Sequence, residues 1–290
     1  MNLNSSHPNG NGTNGHGISK NKNRIVDVTL RMPSWLAERL LETFTKILNS
    51  MRPLTISPGG VLGHSYYVWR RLQHGQEKIE RFSKFFPQFG HQMRHQTGHE
   101  HRCSVGFLFD HFMILMRPHI KLDEALLIRC INHHDEPEGI LGVDTPAPEK
   151  KDLNDLREYI AYEDLCSPLP ESVWKELQRA YLLQHCLKNP ECFPSDAREV
   201  MAGLKESYRN EALFFQGVQD FDYFYSGYES YVEGGVTDVL LDVAKNHLAI
   251  LDEISSELPG FSQVVWTPKR RSFFKQFFER HSKVKIESVK

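Results

Sequence analysis

KLDEALLIRCINHHDEPEGILGVDTPAP, residues 121–148, is the stretch whose reading decides the fold. Its first half reads as a helix with Asp123 as the N-cap and Cys130 inside an apolar pattern. The composition then changes: His133, His134, Asp135, Glu136 and Glu138 fall within seven residues, and Asp144 follows a few positions on. A buried apolar helix has no use for two imidazoles and three carboxylates together. The proline-rich GVDTPAPEKKD beyond them is a loop. The junction is therefore a helix end carrying imidazole and carboxylate, a usual ligand set for Zn, Mn, Fe or Co. Neighbours on a regular helix diverge by about 100°. His134 and Asp135 can both reach one ion only if the site lies at the helix end, or if one ligand points back along the axis.

Helical patterns continue in both directions. Upstream, GHEHRCSVGFLFDHFMILM, residues 98–116, reads as a buried helix ended by Pro118. Before it the spacing predicts a helix over about 65–86, broken by Pro87 and Gly90, and another in MPSWLAERLLETFTKILNSM, residues 32–51, with Trp35, Leu36, Leu40, Leu41, Phe44 and Leu48 on one stripe. Downstream, helices are expected at 152–166, 170–187, 195–233, 237–257 and 269–282, with Gly234 and Gly235 closing the third. Alternating apolar and polar stretches are scarce. The fold class is all-α, without internal repeats. Residues 1–24, rich in Asn, Gly and Ser, read as a disordered tail, and 25–290 as a single helical domain.

Composition narrows the partners. With 40% apolar residues in 290, the chain can bury a core, and its net charge of −2 gives no global pull toward nucleic acid. No apolar run reaches the roughly 18 residues of a spanning helix. The nearest, VGFLFDHFMILM, is interrupted by Asp110 and His111, so no membrane partner is expected. Five cysteines form no CxxC pair and no secretory signal is present, which suggests reduced thiols in a cytoplasmic protein. Cys103 and Cys130 read as small core residues. Residues 267–290 carry eight Lys or Arg against two Glu, which reads as a solvated helix face, with a weak anion-binding surface as the alternative.

Two ligands make a poor metal site, so others must come from elsewhere. His101 opens the 98–116 helix, with Val105, Leu108 and Phe112 following at i+4, i+7 and i+11. It lies at the end of the core-facing stripe, as a ligand or as a hydrogen-bonded core histidine. In EALFFQGVQDFDYFYSGYESYVEGG, residues 211–235, Asp222 falls in line with Phe215, Val218, Tyr225 and Glu229, whereas Asp220 belongs to another face. A core-facing Asp222 would need a cation. A solvent-facing one would not.

The series H … HHDEPEG … VDTPAP … DFDYFY resembles the HD-domain metal-dependent phosphohydrolases, in particular the bacterial 5′-deoxynucleotidases and related small HD hydrolases. Glu100–Arg102, the His134, Asp135 and Glu138 set, the Asp144, Pro146 and Pro148 turn, and Asp220–Tyr225 match four motifs in order, across residues 75–235. The resemblance implies an HD-domain helical bundle with additional N- and C-terminal helices. It implies one divalent ion (Mn, Co, Mg, Zn or Fe) held by His101, His134, Asp135 and Asp222. Glu138 and Asp144 would be the catalytic carboxylates, with Arg94, His133 and Thr145 at the substrate. The reaction would be hydrolysis of (deoxy)nucleoside 5′-monophosphates, and a homodimer is common among such proteins. The chain departs from the pattern at Val143, inserted before Asp144, at Tyr223, where the family has lysine, at His95, where deoxynucleotidases carry an aromatic, and in a shorter segment between Arg94 and His101.

Rival assignments make different demands. An HD-type iron oxygenase needs two further histidines between Asp135 and Asp222, and only His185 is there. A degenerate HD domain serving as a binding module would have lost a ligand position, and all four are present. A zinc peptidase would need two histidines at i and i+4 with a glutamate between, which GHEHRC does not supply.

Overall fold

The chain folds into helices joined by short turns, without a strand among the residues described by this computed structural model: 60–142, 150 and 152–288. In chain order those longer than four residues are α1 (Gly60–Gln76), α2 (Gly98–Met116), α3 (Glu124–His133), α4 (Glu136–Leu141), α5 (Asp152–Cys166), α6 (Glu171–Leu183), α7 (Ser195–Ser207), α8 (Arg209–Gly234), α9 (Thr237–Glu257) and α10 (Pro268–Ser288). The all-α expectation is met. The tail, the 32–51 segment and the 143–149 turn, with Asp144 and Thr145, lie outside the described residues.

Local chemistry sets the helix ends that matter. Before α2, the Thr97 hydroxyl accepts from the Glu100 N–H at 3.2 Å while the Glu100 carboxylate accepts from the Thr97 N–H at 2.7 Å. This reciprocal cap holds the first turn, where His101 stands. From there His101, Val105, Leu108, Phe112 and Met116 run down the buried stripe. Asp123 caps α3 as expected, accepting from the Leu126 N–H at 3.0 Å. Its own N–H donates to Glu211 of α8 at 2.9 Å, so the cap is tied to the central helix.

The structure departs from the sequence expectations at three helices. The 65–86 helix stops at Gln76. There α1 meets α4 backbone to backbone: a Cβ on Gly75 would fall 2.3 Å from the Gly139 carbonyl oxygen. A mostly irregular segment follows, in which Phe82 takes a left-handed φ of 57°. The 195–233 helix is two, α7 and α8, parted at Tyr208, whose φ of −133° leaves the helical range. Its ring lies 4.4 Å from the Arg179 guanidinium. Helix α6 ends at Leu183, short of 187. Of the cysteines, all five are free thiols, but Cys103 is exposed on α2 and only Cys130 is a core residue of that pair.

Helix α8 is the axis, packing against α2 on one side and α9 on the other. Helix α10 is fastened to α9 through Asp252. Its carboxylate accepts from Arg271 Nε at 2.7 Å, Lys275 Nζ at 2.8 Å and Trp266 Nε1 at 2.9 Å. Arg270 caps the carbonyls of Val264 and Val265. Several of the basic residues read as a solvated face are thus engaged in docking the helix. No described helix is long and apolar enough to cross a membrane.

Partial burial opposes ionisation of Asp252, but the bonds from Arg271, Lys275 and Trp266 outweigh it and hold its pKa near 2, against an ordinary 3.8. A depressed carboxylate pKa stabilises the fold above the unfolded value and ceases to as pH falls through the folded one. Asp252→Asn should therefore cost about 1–2 kcal/mol at neutral pH, read from urea midpoints. The gap between variant and wild type should close between about pH 4 and pH 2. A gap unchanged over that range would assign the loss to packing alone.

Candidate metal centre

Three helices bring three donors to one point. His101 comes from the capped first turn of α2, His134 is the C-cap of α3, and Asp135 is the N-cap of α4. Asp135, with φ −101° and ψ 0°, is the corner between α3 and α4. The helix-terminus geometry expected for the pair is what lets both side chains face one way. His101 Nε2 and His134 Nε2 lie 3.4 Å apart, and Asp135 Oδ2 lies 3.3 Å from the first and 3.1 Å from the second. All three residues are buried. Donors about 2.1 Å from one ion, at tetrahedral or octahedral angles, are roughly 3.0–3.4 Å apart. The triad could hold a metal ion.

Hydrogen bonding on the outer edges supports this. His134 Nδ1 donates to the Ile131 carbonyl at 2.8 Å, and His101 Nδ1 donates to Asp222 Oδ2 at 2.6 Å. Both Nε2 atoms are then lone-pair acceptors, turned toward each other and toward a carboxylate oxygen. Such an arrangement is repulsive without a cation, and outer partners of this kind are what orient metal-binding histidines.

Asp222 is fully buried, as a core-facing residue should be, but it is not the fourth donor. Helix α8 crosses α2 on the Nδ1 edge of His101, so one carboxylate oxygen takes that N–H and the other takes the Ser104 hydroxyl. Asp222 holds and polarises a ligand. The fourth group at the centre is Arg81, whose Nη1 lies 3.1 Å from Asp135 Oδ2 and whose guanidinium lies 4.9 Å from the Tyr223 ring centroid. The sequence pattern offered no signal for Arg81, which sits in the irregular segment after α1. Arg94, the expected phosphate arginine, pairs with Glu229 two helical turns beyond Asp222 and is not in the cleft lining. The backbone of the pair is held as well: Gln76 donates to the Asp135 carbonyl, and Gln184 to that of His134 at 2.8 Å.

Asp135 and Glu138 open onto a cleft of about 590 Å³, with Arg81 and Tyr223 also in its wall. Glu138, one turn past Asp135, has Lys150 Nζ 3.4 Å away. Lys150 also reaches Glu158 at 2.8 Å and Asp155 at 3.9 Å. Burial alone would lower its pKa, but Glu158, Glu138 and Asp155 raise it well above the ordinary lysine range, so it stays cationic. His133 lies elsewhere: it bonds Glu136, itself buried, with Arg102 3.8 Å from that carboxylate. Neither lines the cleft. His185 stands beside Asp155 at 3.8 Å, apart from the triad.

Burial, and then the Arg81 charge, lower the His101 pKa and favour the neutral ligand form. Burial would raise that of Asp135, but His134, His101 and Arg81 hold it well below the usual carboxylate range. Both directions suit cation binding.

The chain matches no family model, and no curated protein or solved structure is significantly similar to it.

Calorimetric titration of metal-stripped protein with Zn, Mn or Co should show one tight site. His134→Ala or Asp135→Ala should abolish it, whereas Asp222→Asn should weaken it by about 10- to 100-fold, the usual effect of losing a partner behind a ligand. Equal losses for Asp222 and Asp135 would restore Asp222 as a ligand. No binding by the wild-type protein would remove the site.

Proposed function

We propose that the chain is a metal-dependent phosphohydrolase of the HD type acting on nucleoside 5′-monophosphates. The observation that carries this is the convergence of His101 Nε2, His134 Nε2 and Asp135 Oδ2 beside Arg81 and Glu138, at the wall of one cleft. A divalent ion held by the triad would supply Lewis-acid charge and acidify a bound water.

The side chains divide the remaining work. Arg81, held against Asp135 and the Tyr223 face, is placed to clamp phosphoryl oxygens with its forked donors. Glu138 stands one turn from Asp135 on the cleft side. There it can orient an attacking water and take its proton, with Lys150 fixing the carboxylate from behind. Asp144, outside the described residues, is the second carboxyl of the proposal, to protonate or orient the leaving oxygen. A cleft of about 590 Å³ lies within the roughly 300–1,000 Å³ typical of small-molecule sites, so the partner is a small phosphate ester rather than a nucleic acid.

Metal-stripped protein resupplied with Mn, Co, Mg, Zn or Fe should release phosphate from a panel of ribo- and deoxynucleoside monophosphates, and Asp135→Ala should not. Glu138→Gln should lower kcat by about 10²- to 10⁴-fold. Arg81→Ala should lower kcat/KM steeply and Arg94→Ala should leave it near the wild-type value. No release with any metal from folded protein would sink the hydrolase, and the reverse result for the two arginines would sink the phosphate site.

A further inference from the structure

The same cleft has a second polar feature, one member of which stands on a helix outside the stretch that resembles HD proteins. His247 of α9 and Asp220 of α8 both line it. His247 Nδ1 lies 3.0 Å from Asp220 Oδ1, and both residues are more than nine-tenths buried. Asp220 Oδ2 has no hydrogen-bond partner among the described residues. A buried carboxylate oxygen left so is costly, and nothing in the metal centre uses it. With Nδ1–H donated to Asp220, the open nitrogen of His247 is Nε2. The pair thus leaves two acceptors in the cleft wall, Asp220 Oδ2 and His247 Nε2, for a ligand to meet.

Its position relative to the triad is set by a stack of rings. The Tyr223 ring lies 5.7 Å from the His101 ring at 16°, and 4.9 Å from the His247 ring at 33°. The dyad therefore stands two ring spacings from the metal ligand. That is too far to protonate an oxygen bonded to a phosphorus held at Asp135, but within reach of the group that phosphorus is attached to. Two acceptors in one wall complement two donors on one ligand, and an uncharged group offering that is a vicinal diol.

We propose that Asp220 and His247 form a specificity site that reads paired hydroxyls on the leaving group, so that ribose monophosphates are favoured over their 2′-deoxy counterparts. This rests on the hydrolase reading of the triad. Asp220 accepts from one hydroxyl and His247 Nε2 from its neighbour. A 2′-deoxy sugar leaves one of these buried acceptors unmatched.

The test is kcat/KM for matched pairs, AMP against dAMP and CMP against dCMP, in the wild type, Asp220→Asn and His247→Phe, the last keeping a ring against Tyr223. The wild type should prefer the ribose member by about 10- to 100-fold. Both variants should lose most of that preference through a raised KM for the ribose substrate, and His247→Gln should recover part of it. A wild type that is active but indifferent to the 2′-hydroxyl, or that prefers the deoxy member, overturns this proposal and leaves the hydrolase standing. So do variants that lose both substrates equally, as a merely structural pair would. A wild type inactive on every ester takes down the hydrolase and the specificity site together.

Discussion

Two imidazole lone pairs and a carboxylate oxygen, each within 3.4 Å of the others and all on buried residues, are the interaction on which this structure turns. Left alone they repel, and burial removes the water that would screen them. Arg81 relieves part of this by reaching Asp135. A cation between the three donors would relieve all of it. Helices α2, α3 and α4, and α8 behind them, are arranged so that the donors cannot turn away. His101 is pinned by Asp222, His134 by the Ile131 carbonyl, and the peptide between the pair by Gln76 and Gln184.

That pinning explains features remote from chemistry. The α1–α4 contact through Gly75 and Gly139 has no room for a Cβ, and it is this closeness that lets Gln76 reach the Asp135 carbonyl. The reciprocal cap at Thr97 and Glu100 fixes where α2 begins, and hence which residue stands one turn in. Moving the start of α2 by a single residue would rotate His101 by about 100°, out of reach of His134.

The junction at His134 and Asp135 was legible because its signals are local: an N-cap, an apolar stripe, then charge where the stripe ends. The T-x-x-E signature at Thr97 was equally open to reading, and it marks the start of α2. Asp222 was legible only in part. Helical period set it on a mixed apolar and acidic stripe and left core or solvent open, and it does not say which edge of the His101 ring its carboxylate meets. That depends on how α8 crosses α2. Arg81 was out of reach, since the turn that carries it passes through a left-handed Phe82, a conformation that a phenylalanine does not advertise. Arg94 rested on the resemblance alone, and the chain leads its side chain to Glu229 instead. The break at Tyr208 carries neither proline nor glycine, so periodicity ran α7 into α8.

The helices after residue 235 are more than a cover. Helix α9 contributes His247 to the cleft on one face and Asp252 to the α10 dock on another. Its angle to α8 is therefore constrained from both sides. Tyr223 supplies the neutral ring between His101 and His247, and burial raises its pKa so that it carries no charge there. A lysine at that position would have set a second cation beside Arg81 and left no surface for either imidazole to stack on. The Tyr223 ring thus acts as a rigid spacer, which sets how far the Asp220–His247 pair stands from the triad.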